Sequence, residues 1–297
     1  MWQFIKNFFI RKYREWLGKH NPQKLASIKF RKRFGRELNW NDPKDLNEKI
    51  NWLKFYSDTS QWTRLADKYL VRQYVKEKGF GDNLVKLYGK WDNVEDIDWK
   101  KLPSKFVMKT NNGSGDVVIC KDIITLDKKK TAAFFKKMMT RNYGISSAEP
   151  HYKNMKPCVI AEELLDVTKQ PIESSSLIDY KIWCFNGKPE CIWVCFNRRK
   201  GYVEVATYDL DWHFHPEYSI YTHHYQQAKQ SVPRPKSLNK MLEMASSLST
   251  GFPEVRVDLY EVDGKPYFGE MTFTSLMGFM DFYTPDYLLY LGSKVKI

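Results

Sequence analysis

Between Arg256 and Thr272 the chain reads as two short alternating apolar runs on either side of Asp263-Gly264. Glycine accepts the positive φ of a tight reversing turn, so this pattern predicts a β-hairpin. The first run, Arg256-Val257-Asp258-Leu259-Tyr260, carries Asp258; the second, Tyr267-Phe268-Gly269-Glu270-Met271-Thr272, carries Glu270. The two acids are twelve positions apart with the turn between them. Antiparallel pairing predicts both carboxylates at one end of a two-stranded ribbon, with Arg256 on the face of Asp258. Converging carboxylates suit a magnesium ion that bridges nucleotide phosphates, because Mg²⁺ favours hard oxygen ligands. The plainer alternative is an exposed hairpin whose charges only solubilise it.

A second pattern lies upstream. Lys105-Phe-Val-Met-Lys109 is a short apolar run, Thr110 to Asp116 contains Gly113-Ser114-Gly115, and Val117-Val-Ile-Cys120 resumes the apolar pattern. The expected order is strand, glycine-rich loop, strand. Such a loop lets backbone N–H groups approach phosphate oxygens, and a lysine ending the first strand adds a fixed positive charge. No Gly-Lys-Ser/Thr opens a helix here, which excludes a Walker A loop. A strand follows the glycines, which excludes a dinucleotide fingerprint. A small Gly-Ser hairpin without a ligand is the alternative.

Between these elements, Pro157 to Asp166 predicts a strand ending in Glu162-Glu163. Asp179 to Phe185 and Glu190 to Phe196 flank Asn186-Gly187, a second hairpin signal. In this order the motifs resemble the ATP-grasp superfamily, more narrowly its TupA-like branch, named for teichuronopeptide biosynthesis. The resemblance runs from about Leu46 to Gly278 and implies an α+β fold in which two subdomains clamp ATP.

The resemblance also implies roles. Lys109 would contact the α/β-phosphates and Gly113-Ser114-Gly115 would close over them. Lys68 matches the other phosphate-binding lysine. Glu162, Glu163, Leu164 and Leu165 would form the hinge strand, with Glu162 and nearby backbone groups reading the adenine edge. Asp179 or Lys181 would reach ribose and phosphate. Asp258 and Glu270 would hold Mg²⁺, and Arg256 would steady charge on the transferring phosphoryl group or tetrahedral intermediate. Thr272 departs from the superfamily's usual asparagine, although a hydroxyl still offers an oxygen ligand. Implied domains are a basic amphipathic segment (1–45), a helical region (46–103), a subdomain with the phosphate flap (104–165) and one with the metal hairpin (166–297). Residues 1–100 lack the βαβ alternation of the substrate domain found in many relatives, which leaves the acceptor site open.

Composition sets the remaining bounds. The 297 residues, 42% hydrophobic and 15% aromatic, suffice for a folded core. Net charge is +13, from 48 basic and 35 acidic residues, which favours polyanionic partners such as ATP, an acidic glycan or an anionic membrane. No nucleic-acid recognition motif is present, so nucleic acid is not expected. Five cysteines without a CxxC pair, with Cys184, Cys191 and Cys195 in predicted strands, read as buried thiols and point to the cytoplasm. No Gly-x-Ser-x-Gly elbow or His-Glu-x-x-His helix occurs.

From Asp45 to Lys78 two helices are expected, the first capped by Asp45. The segment from Met1 through Phe4, Ile5, Phe8 and Phe9 to Leu17 interleaves aromatics with Lys and Arg, so residues 1–20 fit either an anionic membrane interface or a packed amphipathic helix. His213, His215, His223 and His224 lack cysteine or acidic partners at ligand spacing and are not expected to bind zinc. Arg198, Arg199, Thr274 and Ser275 are acceptor candidates, with Arg198, Arg199 and Lys200 also able to clamp nucleotide phosphates or an acidic substrate.

The reading is a Mg-ATP-dependent carboxylate–amine ligase acting through an acylphosphate, in assembly of a cell-surface polysaccharide or teichuronopeptide-type polymer. Its rivals are a polysaccharide glycosyltransferase and a non-catalytic nucleotide- or glycan-binding module. Asp96-Ile-Asp98 and Asp209-Leu-Asp211 match Asp-x-Asp but without an evident strand-end context.

Overall fold

The Asp263-Gly264 turn forms as expected, with φ of 55° and 70° at its two central residues. It joins two strands of a six-stranded sheet in a computed structural model. The structure describes residues 2–141 and 143–297; Met1 and the side chains of residues 3–5 and 7, Phe4 and Ile5 among them, lie outside the described residues.

Two sheets organise the α+β fold. β1 (Leu87–Trp91), β2 (Phe106–Thr110), β3 (Val117–Cys120) and β4 (Val159–Glu162) form an antiparallel sheet in the order β1-β4-β2-β3. The larger sheet contains β5 (Asp179–Phe185), β6 (Lys188–Arg199), β7 (Tyr202–Tyr208), β8 (Tyr225–Gln227), β9 (Glu254–Val262) and β10 (Lys265–Thr272). Its order is β10-β9-β5-β6-β7-β8, antiparallel except for β7 with β8. Around them run α1 (Trp2–His20), α2 (Pro22–Phe34), α3 (Leu46–Tyr56), α4 (Trp62–Leu65), α5 (Val71–Glu77), α6 (Lys128–Met139), α7 (Pro150–Lys153), α8 (Leu238–Ser249) and α9 (Pro285–Lys294).

Period-2 alternation gives the large sheet two unlike faces. Tyr180, Ile182, Cys184, Val255, Val257 and Leu259 form one face, in a core with Met241, Met244, Ala245 and Leu248 of α8. Glu261 on this face accepts hydrogen bonds from the N–H groups of Lys236 and Ser237 at the start of α8, satisfying donors that a helix N-terminus leaves open. The opposite face carries Asp179, Lys181, Arg256 and Asp258. In the small sheet, Phe106 and Met108 pack with Phe135 of α6.

The helical region differs from expectation in two ways. Asp45 caps α3 in a reciprocal capping box with Glu48, but the expected pair of helices is three, α3 to α5. Ser57 Oγ donates to the Leu53 carbonyl and Asp58 accepts from Ser60 N–H, and such local side-chain bonds compete with helix continuation. The stretch read as helical, 46–103, also contributes β1, which pairs with β4 and completes the small sheet.

Candidate functional site

Register assembles the acidic end of the hairpin. Glu270 of β10 faces Asp258 of β9, and Asp258 faces Lys181 of β5, so three charged residues form one row across adjacent strands. A one-residue shift between Phe268 and Glu270 marks a β-bulge at Gly269. A Cβ at Gly269 would lie 2.9 Å from the Asp258 carbonyl oxygen, so the bulge uses the residue without one.

Arg256 fixes the row from the side. Its Nε and Nη2 donate to Asp258 Oδ1 and Oδ2 at 2.7 and 2.8 Å, and Nη2 also reaches Thr272 Oγ1 at 3.2 Å. Lys181 donates to Asp258 and lies 2.6 Å from Asp179 Oδ2. Burial disfavours the charge on Lys181, yet Asp179 and Asp258 raise its pKa above the ordinary value. Burial likewise opposes the Arg256 charge, and the Asp258 carboxylate outweighs it. For Asp258 burial pushes upward while Arg256 and Lys181 pull down.

Glu270 differs from Asp258. Among the described residues its carboxylate makes only longer ion pairs, 3.5 Å to Lys68 and 3.9 Å to Arg256, and its side chain is 35% exposed. Burial raises its pKa, but the fields of Lys68, Lys181, Arg256 and Lys109 together prevail and hold it at about 2. An open, ionised oxygen donor beside a second carboxylate suits Mg²⁺. Thr272 pairs across the strands with Arg256, and its hydroxyl accepts from that guanidinium.

The small sheet supplies cations. Lys109 Nζ lies 2.6 Å from Glu162 Oε2, and Arg72 Nη1 donates to Glu162 Oε1 at 2.8 Å. Both oxygens of the Glu162 carboxylate are therefore paired with cations. The N–H of Glu163 donates to the Lys86 carbonyl at 2.9 Å, which anchors the start of the Glu163–Leu165 segment to the residue before β1.

The glycine loop is held at both ends. Lys68 Nζ donates to the Gly113 carbonyl at 2.8 Å. Asn111 donates to Asp67 and to the Lys156 carbonyl and accepts from Cys158 N–H at 2.8 Å. A Cβ at Gly113 would lie 2.1 Å from Asp116 Oδ2 and 2.4 Å from Thr110 Oγ1. The Ser114 N–H and carbonyl each lie 3.4 Å from the Tyr143 hydroxyl, and Gly115 has φ of 79°.

Asp179 Oδ1 is buried without a hydrogen-bond partner among the described residues, leaving an acceptor for a ligand hydroxyl. Arg198 lies 3.6 Å from Asp179 Oδ2 with half of its side chain exposed. Arg199 points elsewhere, over the Tyr202 ring. Thr274 and Ser275, expected against an acceptor, are instead buried: Thr274 donates to Glu149, and Ser275 accepts from Arg256.

Arg72, Asn111 and a buried charge cluster around Glu149 also belong to this part of the molecule, and no motif marks them in the sequence. Arg72 follows Lys68 by four residues, a spacing that places side chains near one another along a helical path. Asn111 sits at the mouth of the glycine loop, where an amide side chain can bond backbone on both sides. Burial raises the Glu149 pKa and lowers that of Lys54 to about 7. Lys54 Nζ donates to the Met277 carbonyl at 2.9 Å. Isolated charges in helical segments gave no signal for this cluster.

The histidine stretch also departs from expectation, because acidic partners are present. His213 Nδ1 lies 2.8 Å from Asp209 Oδ2, and His215 Nδ1 lies 2.7 Å from Glu217 Oε1. Asp209-Leu210-Asp211 directly follows β7, so it does have a strand-end context. Asp209 is engaged by both histidines, and β7 lies two strands away from β5 in the sheet. All five cysteines are free and buried.

No curated protein matches this sequence. Among solved structures, the chain is similar to a D-alanine–D-alanine ligase from Helicobacter pylori, at 12% identity and TM-score 0.43, over 84% of this chain and 69% of that one. A D-alanine–D-alanine ligase from Bacillus anthracis complexed with ATP matches at 14% identity and TM-score 0.38, over 70% and 53%. A phosphoribosylamine–glycine ligase from Thermotoga maritima matches at 14% and 0.41, over 71% and 48%. The chain thus spans about half the length of the last two ligases, and likenesses this shallow carry no argument about chemistry. The family model described as TupA-like ATPgrasp matches residues 48–296, which take in both sheets, the glycine loop and the paired acids, and the chain belongs to that family.

Proposed function

We propose that the protein is an ATP- and Mg²⁺-dependent ligase that activates a carboxylate as an acylphosphate and joins it to an amine. The observation that carries this reading is the row Lys181–Asp258–Glu270, bordered by Arg256 and faced by Lys68. Phosphoryl transfer depends on positioning and charge stabilisation, and such an arrangement offers both.

ATP would lie between the sheets, its phosphates drawing Lys109 from Glu162 and Lys181 from Asp258 while Gly113 to Gly115 cover them. The buried Asp179 Oδ1 would accept from a ribose hydroxyl, and backbone groups of Glu163 to Leu165 would meet the base. Mg²⁺, held by Glu270 and Asp258 with Thr272 as a further oxygen, would neutralise phosphate charge. A substrate carboxylate oxygen then attacks the γ-phosphorus and ADP leaves. The amine attacks the acyl carbon, loses a proton, and phosphate departs. Arg256 would steady negative charge during both displacements.

The substrate class we assign is an acid and an amine used in a cell-surface polysaccharide or teichuronopeptide-type polymer. The net charge of +13 favours an acidic partner, and an acidic glycan is the one we assign. Arg198, beside Asp179 and half exposed, is the best placed acceptor contact. A non-catalytic nucleotide-binding module is the second reading, favoured by the cations that cover Asp258 and by the Arg256 bond to Thr272.

The deciding experiment is calorimetric titration with a non-hydrolysable ATP analogue, with and without Mg²⁺, followed by ATP turnover with carboxylate–amine pairs. Magnesium-dependent binding lost in Lys109→Ala, with turnover lost in Arg256→Ala, supports the ligase. Binding without turnover of any pair favours the module, and no binding by folded protein removes both.

A further inference from the structure

Helix α1 presents unlike faces to solvent and to the protein. At about 100° per residue, Trp2, Phe9, Tyr13 and Trp16 fall in one stripe. They are 81%, 65%, 51% and 55% exposed. Tyr13 stacks on Trp16 with ring centroids 6.4 Å apart, and Trp16 lies 5.1 Å from the His20 ring, so the stripe is continuous along the last turns. The far side of the helix is the docked one: a Cβ on Gly18 would lie 1.9 Å from the Ile145 carbonyl oxygen. That contact holds the aromatic stripe outward.

Cations border the stripe. Lys6 lies on one edge and Lys12 and Lys19 on the other, all exposed. The acid of this helix, Glu15, is paired with Lys12 at 3.3 Å and Arg11 at 3.9 Å. Trp and Tyr favour the boundary between headgroups and acyl chains, where an amphipathic ring meets both phases. Lysines alongside them suit anionic headgroups. A second copy of the chain is a poor occupant, because each copy carries a net charge of +13 and like patches repel. No helix among the described residues is long and apolar enough to cross a membrane; α1 is amphipathic, the form that lies in the interface plane.

We infer that α1 docks on an anionic lipid surface, with Trp2, Phe9, Tyr13 and Trp16 in the headgroup–acyl boundary and Lys6, Lys12 and Lys19 on lipid phosphates. The contact is independent of the nucleotide site and holds whether or not the chain is a ligase.

Flotation of the full chain with phosphatidylcholine vesicles, with and without phosphatidylglycerol, tests it. The protein should float with the anionic vesicles and not with the neutral ones, and added salt should weaken the association. Phe9→Ser/Trp16→Ser should lower partitioning on the order of tenfold or more. Lys12→Gln/Lys19→Gln should reduce the preference for anionic lipid. Both variants alter exposed side chains, and an unchanged thermal melt establishes that they fold. The inference fails if folded wild-type protein does not float, or if the aromatic variant floats equally well. It fails also if sedimentation shows a dimer in the wild type that the aromatic variant dissolves, since the stripe would then serve self-association.

Discussion

Lys68 joins the two sheets through Glu270: its Nζ lies 3.5 Å from Glu270 Oε2 and donates to the Gly113 carbonyl at 2.8 Å. One cation thereby spans the loop of the small sheet and the acid of the large one. Both the shape of the glycine loop and the ionisation of Glu270 depend on it.

Replacement of Lys68 by Met should therefore act on two observables. Loss of a hydrogen bond to a charged group is worth about 1.5–3 kcal/mol, so affinity for an ATP analogue should fall about tenfold or more by calorimetry. Without ligand, amide exchange over residues 111–116 should accelerate. Unchanged exchange would mean that Asn111 alone holds the loop.

Gly113→Ala tests the loop from within. The added Cβ meets Asp116 and Thr110 at distances no real contact shows, and the loop must open at a strain of about 1–3 kcal/mol. Nucleotide binding should weaken, and the melting temperature should fall by only about a few degrees, because the loop lies outside both sheet cores. A large fall in melting temperature would place the loop in the folding core instead.

Glu270 links the site to acid stability. Its pKa is depressed from the ordinary 4.5 to about 2, so the folded state binds fewer protons there than the unfolded chain between those values. Its stabilising contribution is present above about pH 4.5 and is lost as pH falls toward 2. Glu270→Gln should be less stable than wild type near neutral pH, and the two denaturation curves should converge near pH 2. Parallel curves across that range would show that Glu270 is not held ionised by its neighbours.

Lys54 has a linkage of the same sign in a higher pH window. Burial lowers its pKa from 10.5 to about 7, so between these values the unfolded chain binds the extra proton and stability from this group rises with pH. The difference between wild type and Lys54→Met should therefore shift in favour of wild type as pH rises from about 7 toward 10.5. Chemical denaturation at several pH values measures it, and a pH-independent difference would contradict the burial of a neutral amine.

The hairpins were legible because their signals are local. Asp263-Gly264 and Asn186-Gly187 both adopt the positive φ values that their residue types permit, and period-2 alternation identified the strands around them. The pairing of Asp258 with Glu270 followed in outline. The partners of those acids did not follow, because Lys181, Lys68 and Arg72 arrive from distant parts of the sequence. The place of Thr274 and Ser275 after the metal strand makes them acceptor candidates, yet tertiary packing turns both inward toward Glu149 and Arg256. Likewise β1 was hidden in a stretch read as helical, since its five residues are all half-buried and show no apolar alternation.

The bulge at Gly269 has a consequence for the handedness of the site across the sheet. Beyond the turn, Tyr267 pairs with Tyr260 and Phe268 with Leu259, and an unbroken ladder would then bring Gly269 opposite Asp258. Glu270 would fall opposite Val257 and point into the apolar layer under α8. The extra residue returns Glu270 to the side that holds Arg256 and Lys181. Flattening the bulge with Gly269 kept would preserve the turn and the acids while turning one of them to the wrong side, whereas deletion of Gly269 would leave Glu270 opposite Asp258 in a regular ladder. The segment thus behaves as a parity device: with one residue more than the ladder can pair, the bulge that takes it up decides whether the two carboxylates belong to one site or to opposite sides of a wall.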